Sequence, residues 1–205
     1  MLCVDETIYF KDGFHRRGIV ADGSCFFHAI LYALSHEYRT FTIEQRQHAV
    51  ALIRQKASEL CTSERILALG KGMACLPIFH GLCLQLFPHT EKILETHANK
   101  PVQKLVEYLK DIPTTELIEA CTNVYRETVR NSGMWVSYEL FELLQDILDV
   151  NVVILQDSGL YIFGDDVYAD NRPYMILYWN SQVHFELVGK DDTYVFTKDT
   201  LHFKV

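Results

Sequence analysis

No stretch of this 205-residue chain stays apolar for the ~18 residues that a bilayer-crossing helix needs; His, Gln or Tyr interrupts the longest greasy runs. The opening residues, MLCVDETIYFKDGFHRRG, lack a basic segment followed by an apolar core, so a secretory signal is not expected. A viral or bacterial protein can still reach a host cell by routes that this rule does not detect. Basic residues are in deficit, with 19 Lys and Arg against 27 Asp and Glu and a formal net charge of -8. That balance argues against nucleic acid as a partner and is compatible with a basic protein partner. Cys3, Cys25, Cys61, Cys75, Cys83 and Cys121 contain no Cys-x-x-Cys pair, so neither a zinc site nor a cofactor is expected. Cys75, His80 and Cys83 come nearest, with the wrong ligand spacing. At 49% hydrophobic residues the chain needs no disulfide framework, and five of the cysteines read as small buried hydrophobes in a reducing compartment. Repeats, low-complexity tracts and Pro/Gly/Ser-rich linkers are absent as well, which predicts one continuous domain over 1–205.

What is present changes character along the chain. Phe27, Ile30, Leu31 and Leu34 recur at helical spacing behind Cys25. Thr42-Ile43-Glu44-Gln45 matches a capping box, with Val50, Ile53, Ala57 and Leu60 as the stripe behind it. Pro101 opens a further helix carrying Val102, Leu105, Val106 and Leu109. Another runs from about Thr114 to Arg130 and stops at Asn131-Ser132-Gly133, and the last starts near Ser137. From Asn151 the period is that of strands: Asn151–Leu155, Leu160–Phe163, Tyr174–Trp179 and His184–Val188, with Tyr194–Phe196 and Leu201–Phe203 as candidate edges. Helices first and a mostly antiparallel sheet afterwards predict an α+β architecture. Residues 61–100 read least clearly, as a helical insertion, a lid or a partner-binding arm.

The segment Asp22-Gly23-Ser24-Cys25-Phe26-Phe27-His28-Ala29 carries most of the chemistry. Polar residues lead straight into a helix, which puts Cys25 in its first turn, where free N–H groups and the helix dipole favour a thiolate. A nearby cationic His would lower a thiol pKa there by several units. Gly23 allows a positive φ, and backbone N–H groups of the Asp22–Cys25 loop could form an oxyanion hole. The plainer reading is that Asp22 caps a helix and Cys25 is one more buried thiol.

A base is available near the far end. In the strand Val183–Val188, Phe185 and Leu187 share one face while His184 and Glu186 share the other. A carboxylate two residues on can accept the imidazole Nδ1–H and leave Nε2 for a thiol. His28, three residues after Cys25, is a rival base with no visible group to orient it.

With both ends in view, the chain resembles the ovarian-tumour (OTU) family of cysteine proteases. The family's Asp-Gly-x-Cys motif, followed by an aromatic or apolar pair and x-Ala, is met by Asp22 to Ala29. Met134-Trp135-Val136-Ser137-Tyr138-Glu139 leading to Val150–Ile154 looks like its Trp block, with Val136-Ser137 where glycines are usual. His184-Phe185-Glu186 stands in the place of its catalytic strand, with Glu where Asn or Asp is more frequent. The resemblance implies a papain-like OTU fold whose sheet packs between helical regions, with an insertion at about 61–133 that helps to bind ubiquitin. It implies a thiol-dependent deubiquitinase with Cys25 as nucleophile, His184 as general base, Asp22 as the motif acid and Glu186 as orienter. Ubiquitin, polyubiquitin chains or related modifiers are then the partners, without nucleic acid or membrane. A monomer acting in the cytoplasm is expected, in the host's if the chain is a viral protein or bacterial effector. The alternatives are a catalytically inactive ubiquitin-binding module of the same fold, or a scaffolding protein with a coincidental motif.

Overall fold

The structure, a computed structural model, describes residues 2–133, 138–156, 159–162, 172–180 and 184–197. Its helices are α1 (Cys25–Leu34), α2 (His36–Arg39), α3 (Ile43–Glu59), α4 (Ser63–Ala68), α5 (Leu76–Leu86), α6 (Glu91–Thr96), α7 (Val102–Leu105), α8 (Thr114–Arg130) and α9 (Tyr138–Leu148). The strands are β1 (Thr7–Tyr9), β2 (Phe14–Arg17), β3 (Asn151–Gln156), β4 (Gly159–Ile162), β5 (Tyr174–Asn180) and β6 (His184–Lys190). Ser137 and Trp135, Phe163, and the candidate strand Leu201–Phe203 lie outside the described residues.

Local signals are obeyed where they close over a few residues. The Thr42 N–H donates to Gln45 Oε1 at 2.9 Å and the Gln45 N–H to Thr42 Oγ1 at 3.3 Å, a reciprocal capping box opening α3. The helix after Pro101 is shorter than expected, passing into a 3-10 turn at Val106–Tyr108. Phe26, Phe27, Ala29 and Ile30 are all buried, so α1 is covered on nearly every side instead of showing one apolar stripe.

The sheet order is β1-β2-β6-β5-β3-β4. β3 and β5 pair in parallel and the other neighbours are antiparallel, so the architecture is α+β with a mostly antiparallel sheet. Two strands precede α1, correcting the expectation of a wholly helical first half. Their sequences, Thr-Ile-Tyr and Phe-His-Arg-Arg, are too short and too polar to show alternation; tertiary pairing of β2 with β6 makes them strands. Tyr194–Phe196 forms an isolated bridge from Phe196 to Tyr174 in place of a full edge strand.

Chain contacts divide the protein into two compact units, Met1–Gln55 with Asn131–Val205, and Lys56–Arg130. The first holds the sheet with α1, α2 and α9. One sheet face packs Phe185 and Trp179 with Phe26 and Phe141. The other gathers Val153, Tyr174, Ile176, Val188 and Phe196. The second unit has a helical core of its own, with Phe79, Cys83, Leu105 and Leu117 buried among α4 to α8. Composition does not reveal this division, because an inserted helical unit needs no Gly- or Ser-rich linker when helices run up to its boundary. The second unit spans Lys56–Arg130, where the reading from sequence set a helical insertion at about 61–133, and Asn131, Ser132 and Gly133 lie in the first.

Candidate active site

Cys25 is the first residue of α1 and is buried. Ahead of it, Asp22 Oδ1 accepts the Ser24 N–H at 3.0 Å, a tight Asx turn. Gly23 sits within that turn at φ +83°, and a Cβ there would lie 3.0 Å from the Ser132 carbonyl oxygen. Both the left-handed backbone and the close approach demand glycine. Ser24 Oγ donates to that same carbonyl at 3.0 Å, tying the loop to Asn131–Gly133. The Ser24 N–H is therefore occupied, which removes it from the set of expected oxyanion donors. The N–H of Cys25 remains, in a first turn where no carbonyl lies one turn back to receive it.

Asp22 is more than a cap. Its Oδ2 lies 3.1 Å from His28 Nε2, and the other ring nitrogen of His28 bonds the Tyr38 hydroxyl. Burial alone would raise the Asp22 pKa, but the His28, Ser24 and Gln47 hydrogen bonds together hold it below the usual carboxylate range. His28, the rival base, has both ring nitrogens engaged away from the thiol. It anchors Asp22.

His184 begins β6 and is buried, and no partner reaches its Nε2. The Ile19 carbonyl favours the protonated ring. Nε2 is unpartnered, so a proton on Nδ1 would leave the Nε2 lone pair free for a thiol. This is the tautomer a general base requires. Burial lowers the His184 pKa from the ordinary 6.5, against the Glu186 charge and the Ile19 carbonyl, which act to raise it.

Glu186 does not orient His184 by a hydrogen bond. Its Oε1 accepts the Leu2 N–H at 3.0 Å and Asn180 Nδ2–H at 2.9 Å, and Oε2 lies 3.4 Å from Arg16 Nε. Arg16 in turn lies over the Tyr178 ring, 4.1 Å from its centroid. The carboxylate is fully buried and its influence on His184 is through charge. Sequence correctly put both side chains on one face, but a strand face does not say which neighbouring strand will claim the carboxylate.

Cys25 and His184 are brought to the same place by adjacent residues. The backbone N–H groups of Phe185 and Phe26 both favour the Cys25 thiolate, so the start of β6 lies at the sulfur. The thiol and the imidazole are not hydrogen-bonded to each other, and Asp22 adds an unfavourable charge. Burial is the largest influence and pushes the Cys25 pKa up, overturning the expectation of a lowered one. Both shifts favour a neutral thiol and a neutral imidazole at rest.

One site residue escaped the hydrophobic stripe. Arg54, fully buried on α3, donates from one guanidinium nitrogen to Ser24 Oγ at 3.2 Å and from the other to the Asn131 carbonyl. Its neighbours one turn away, Val50 and Ser58, are also buried, as is Arg46 one turn further back. The i, i+4, i+8, i+12 spacing of Arg46, Val50, Arg54 and Ser58 was the signal available.

No family model matches this chain, and no curated protein matches it either. Among solved structures, an OTU domain in complex with ubiquitin is 14% identical, with 91% of this chain and 76% of that one covered and a TM-score of 0.46. An OTU deubiquitinase from Wolbachia pipientis wMel is 12% identical, covering 88% of this chain and 91% of that one at a TM-score of 0.42. The OTU domain protease of Farallon virus is 16% identical, covering 90% and 96% at a TM-score of 0.34. All three are OTU domains. Chemistry in the present chain rests on its own side chains at the head of α1 and the start of β6.

Proposed function

We propose that this chain is an OTU-type cysteine protease that hydrolyses the isopeptide bond between the C-terminus of ubiquitin, or a related modifier, and a lysine. The observation that carries this reading is the meeting of the head of α1 with β6, where the Phe185 N–H favours the Cys25 thiolate and His184 is buried with its Nε2 unpartnered. His184 Nε2 takes the Cys25 proton as the sulfur attacks the terminal glycine carbonyl. The Cys25 N–H stabilises the oxyanion. The imidazolium returns its proton to the departing lysine amine, leaving a thioester. Water, deprotonated by the same Nε2, then releases the modifier.

The test is a ubiquitin whose C-terminus carries a thiol-reactive group. A covalent adduct mapped to Cys25, lost in Cys25→Ala, supports the reading; a folded protein that forms none overturns it. The missing Cys25–His184 hydrogen bond favours one rival, a ubiquitin-binding module without turnover. That rival predicts ubiquitin binding with neither adduct nor cleavage. A panel of linkage-defined di-ubiquitins identifies the chain type that is cut.

A further inference from the structure

A guanidinium with no exposed surface is costly to bury, and proteins keep one where its charge and hydrogen bonds are both used. Arg54 is such a group. It sits 4.7 Å from the centroid of the Phe27 ring, so the cation is packed against the same helix that begins with Cys25. Its two terminal nitrogens reach two separate pieces of chain, Ser24 Oγ in the loop before the nucleophile and the Asn131 carbonyl in the segment facing that loop. Ser24 Oγ completes the clamp by donating to Ser132 O. Burial lowers the Arg54 pKa to about 10, and the charges of Asp22 and Cys25 act against that fall. Arg54 therefore stays cationic near neutral pH and senses charge on the nucleophile.

We propose that Arg54 is the positioning residue of the nucleophile loop, holding Asp22–Ser24 against Asn131–Gly133 while its positive charge stabilises the Cys25 thiolate formed during reaction. The proposal deepens the protease reading and rests on it for the loop's role. Arg54 acts through the loop and through space, without touching the reacting atoms. Lysine at this place keeps the charge but cannot bridge two acceptors with a planar fork, which separates the two contributions.

The experiment compares the wild-type protein with Arg54→Lys and Arg54→Gln, each checked for folding by circular dichroism. The pH dependence of Cys25 alkylation by iodoacetamide, read on the Cys25 peptide by mass spectrometry, reports the thiolate without any ubiquitin substrate. Arg54→Gln should move its midpoint upward by about one pH unit, roughly tenfold less thiolate at a fixed lower pH. Arg54→Lys should leave that midpoint within a few tenths of a unit and lower kcat on a fluorogenic ubiquitin C-terminal amide by about 10- to 100-fold at constant KM. An unmoved midpoint in folded Arg54→Gln overturns the electrostatic role, and wild-type kcat in Arg54→Lys overturns the positioning role. Should Arg54→Gln fail to fold, the neutral and apolar Arg54→Met takes its place: a midpoint raised by about one pH unit supports the electrostatic role and an unmoved one overturns it. Absence of turnover in the wild-type protein would sink the protease reading alone, because the alkylation profile still reads Arg54.

Discussion

The rings of Phe26 and Phe185 meet with their centroids 6.4 Å apart at 71°, and each belongs to the residue that follows a proposed catalytic group. This contact presses the head of α1 on to the start of β6. Phe141 of α9 completes the cluster at 5.1 Å from Phe26 and 5.5 Å from Phe185. These rings tie the residue after Cys25 to the residue after His184.

Removing one ring should loosen both fold and site. Phe185→Ala is expected to cost about 3–5 kcal/mol of stability, read as a lower urea midpoint. Phe185→Leu should cost much less and keep most of the turnover, since it preserves most of the packed volume. Equal activity in Phe185→Ala and wild type would separate the ring cluster from the positioning of Cys25.

The pH dependence follows from burial of His184. Its pKa is below the ordinary 6.5 in the folded protein, so the unfolded chain binds the proton first as pH falls. Stability from this group is complete above pH 6.5 and declines as pH drops through 6.5 toward the lowered folded value. The acid limb of kcat/KM should accordingly have its midpoint below 6.5, and it should vanish from the Cys25 alkylation profile of His184→Ala. A midpoint above 6.5 would show an imidazole stabilised as the cation.

Glu186 offers a test of what holds the imidazole. If the Ile19 carbonyl selects the tautomer, Glu186→Gln should reduce kcat by about tenfold or less, because only a charge interaction is removed. A hydrogen-bonded orienter would cost far more, of order 10⁴-fold in the serine protease precedent. Glu186→Ala should instead lose about 3–5 kcal/mol of stability, since Arg16 and Asn180 are left facing an emptied site. Thermal unfolding and steady-state kinetics on the two variants separate these effects.

Gly23→Ala is expected to disable the loop without unfolding the protein. The left-handed φ costs a β-carbon-bearing residue about 1–2 kcal/mol, and the added carbon meets the Ser132 carbonyl. Turnover should fall at least tenfold while the unfolding transition moves by only a few degrees, measured by kinetics and calorimetry. Wild-type kinetics in this variant would mean that the loop's conformation is not used.

Several features were open to reading from residues alone because the interactions behind them close over a few positions. The start of α1 at Cys25, the capping box at Thr42 and Gln45, the glycine in the nucleophile loop and the shared face of His184 and Glu186 are all of this kind. The N-terminal strands were not readable, since Phe14–Arg17 is a strand by virtue of its pairing with Leu187–Lys190, far away in the chain. The bounds of the second unit were equally hidden, because helix runs up to both of them.

What the sequence determined by itself was the chemical inventory and its local setting: a thiol at a helix head, an imidazole at a strand start, and the backbone that presents each. Tertiary structure decided which groups answer to which. It gave Glu186 to Arg16, Leu2 and Asn180, and His28 to Asp22 and Tyr38. It also raised the thiol pKa by burial, where the helix dipole alone would lower it. The physical reason is that periodicity assigns a side chain to a face, whereas desolvation and hydrogen-bond choice depend on what distant chain is packed against that face.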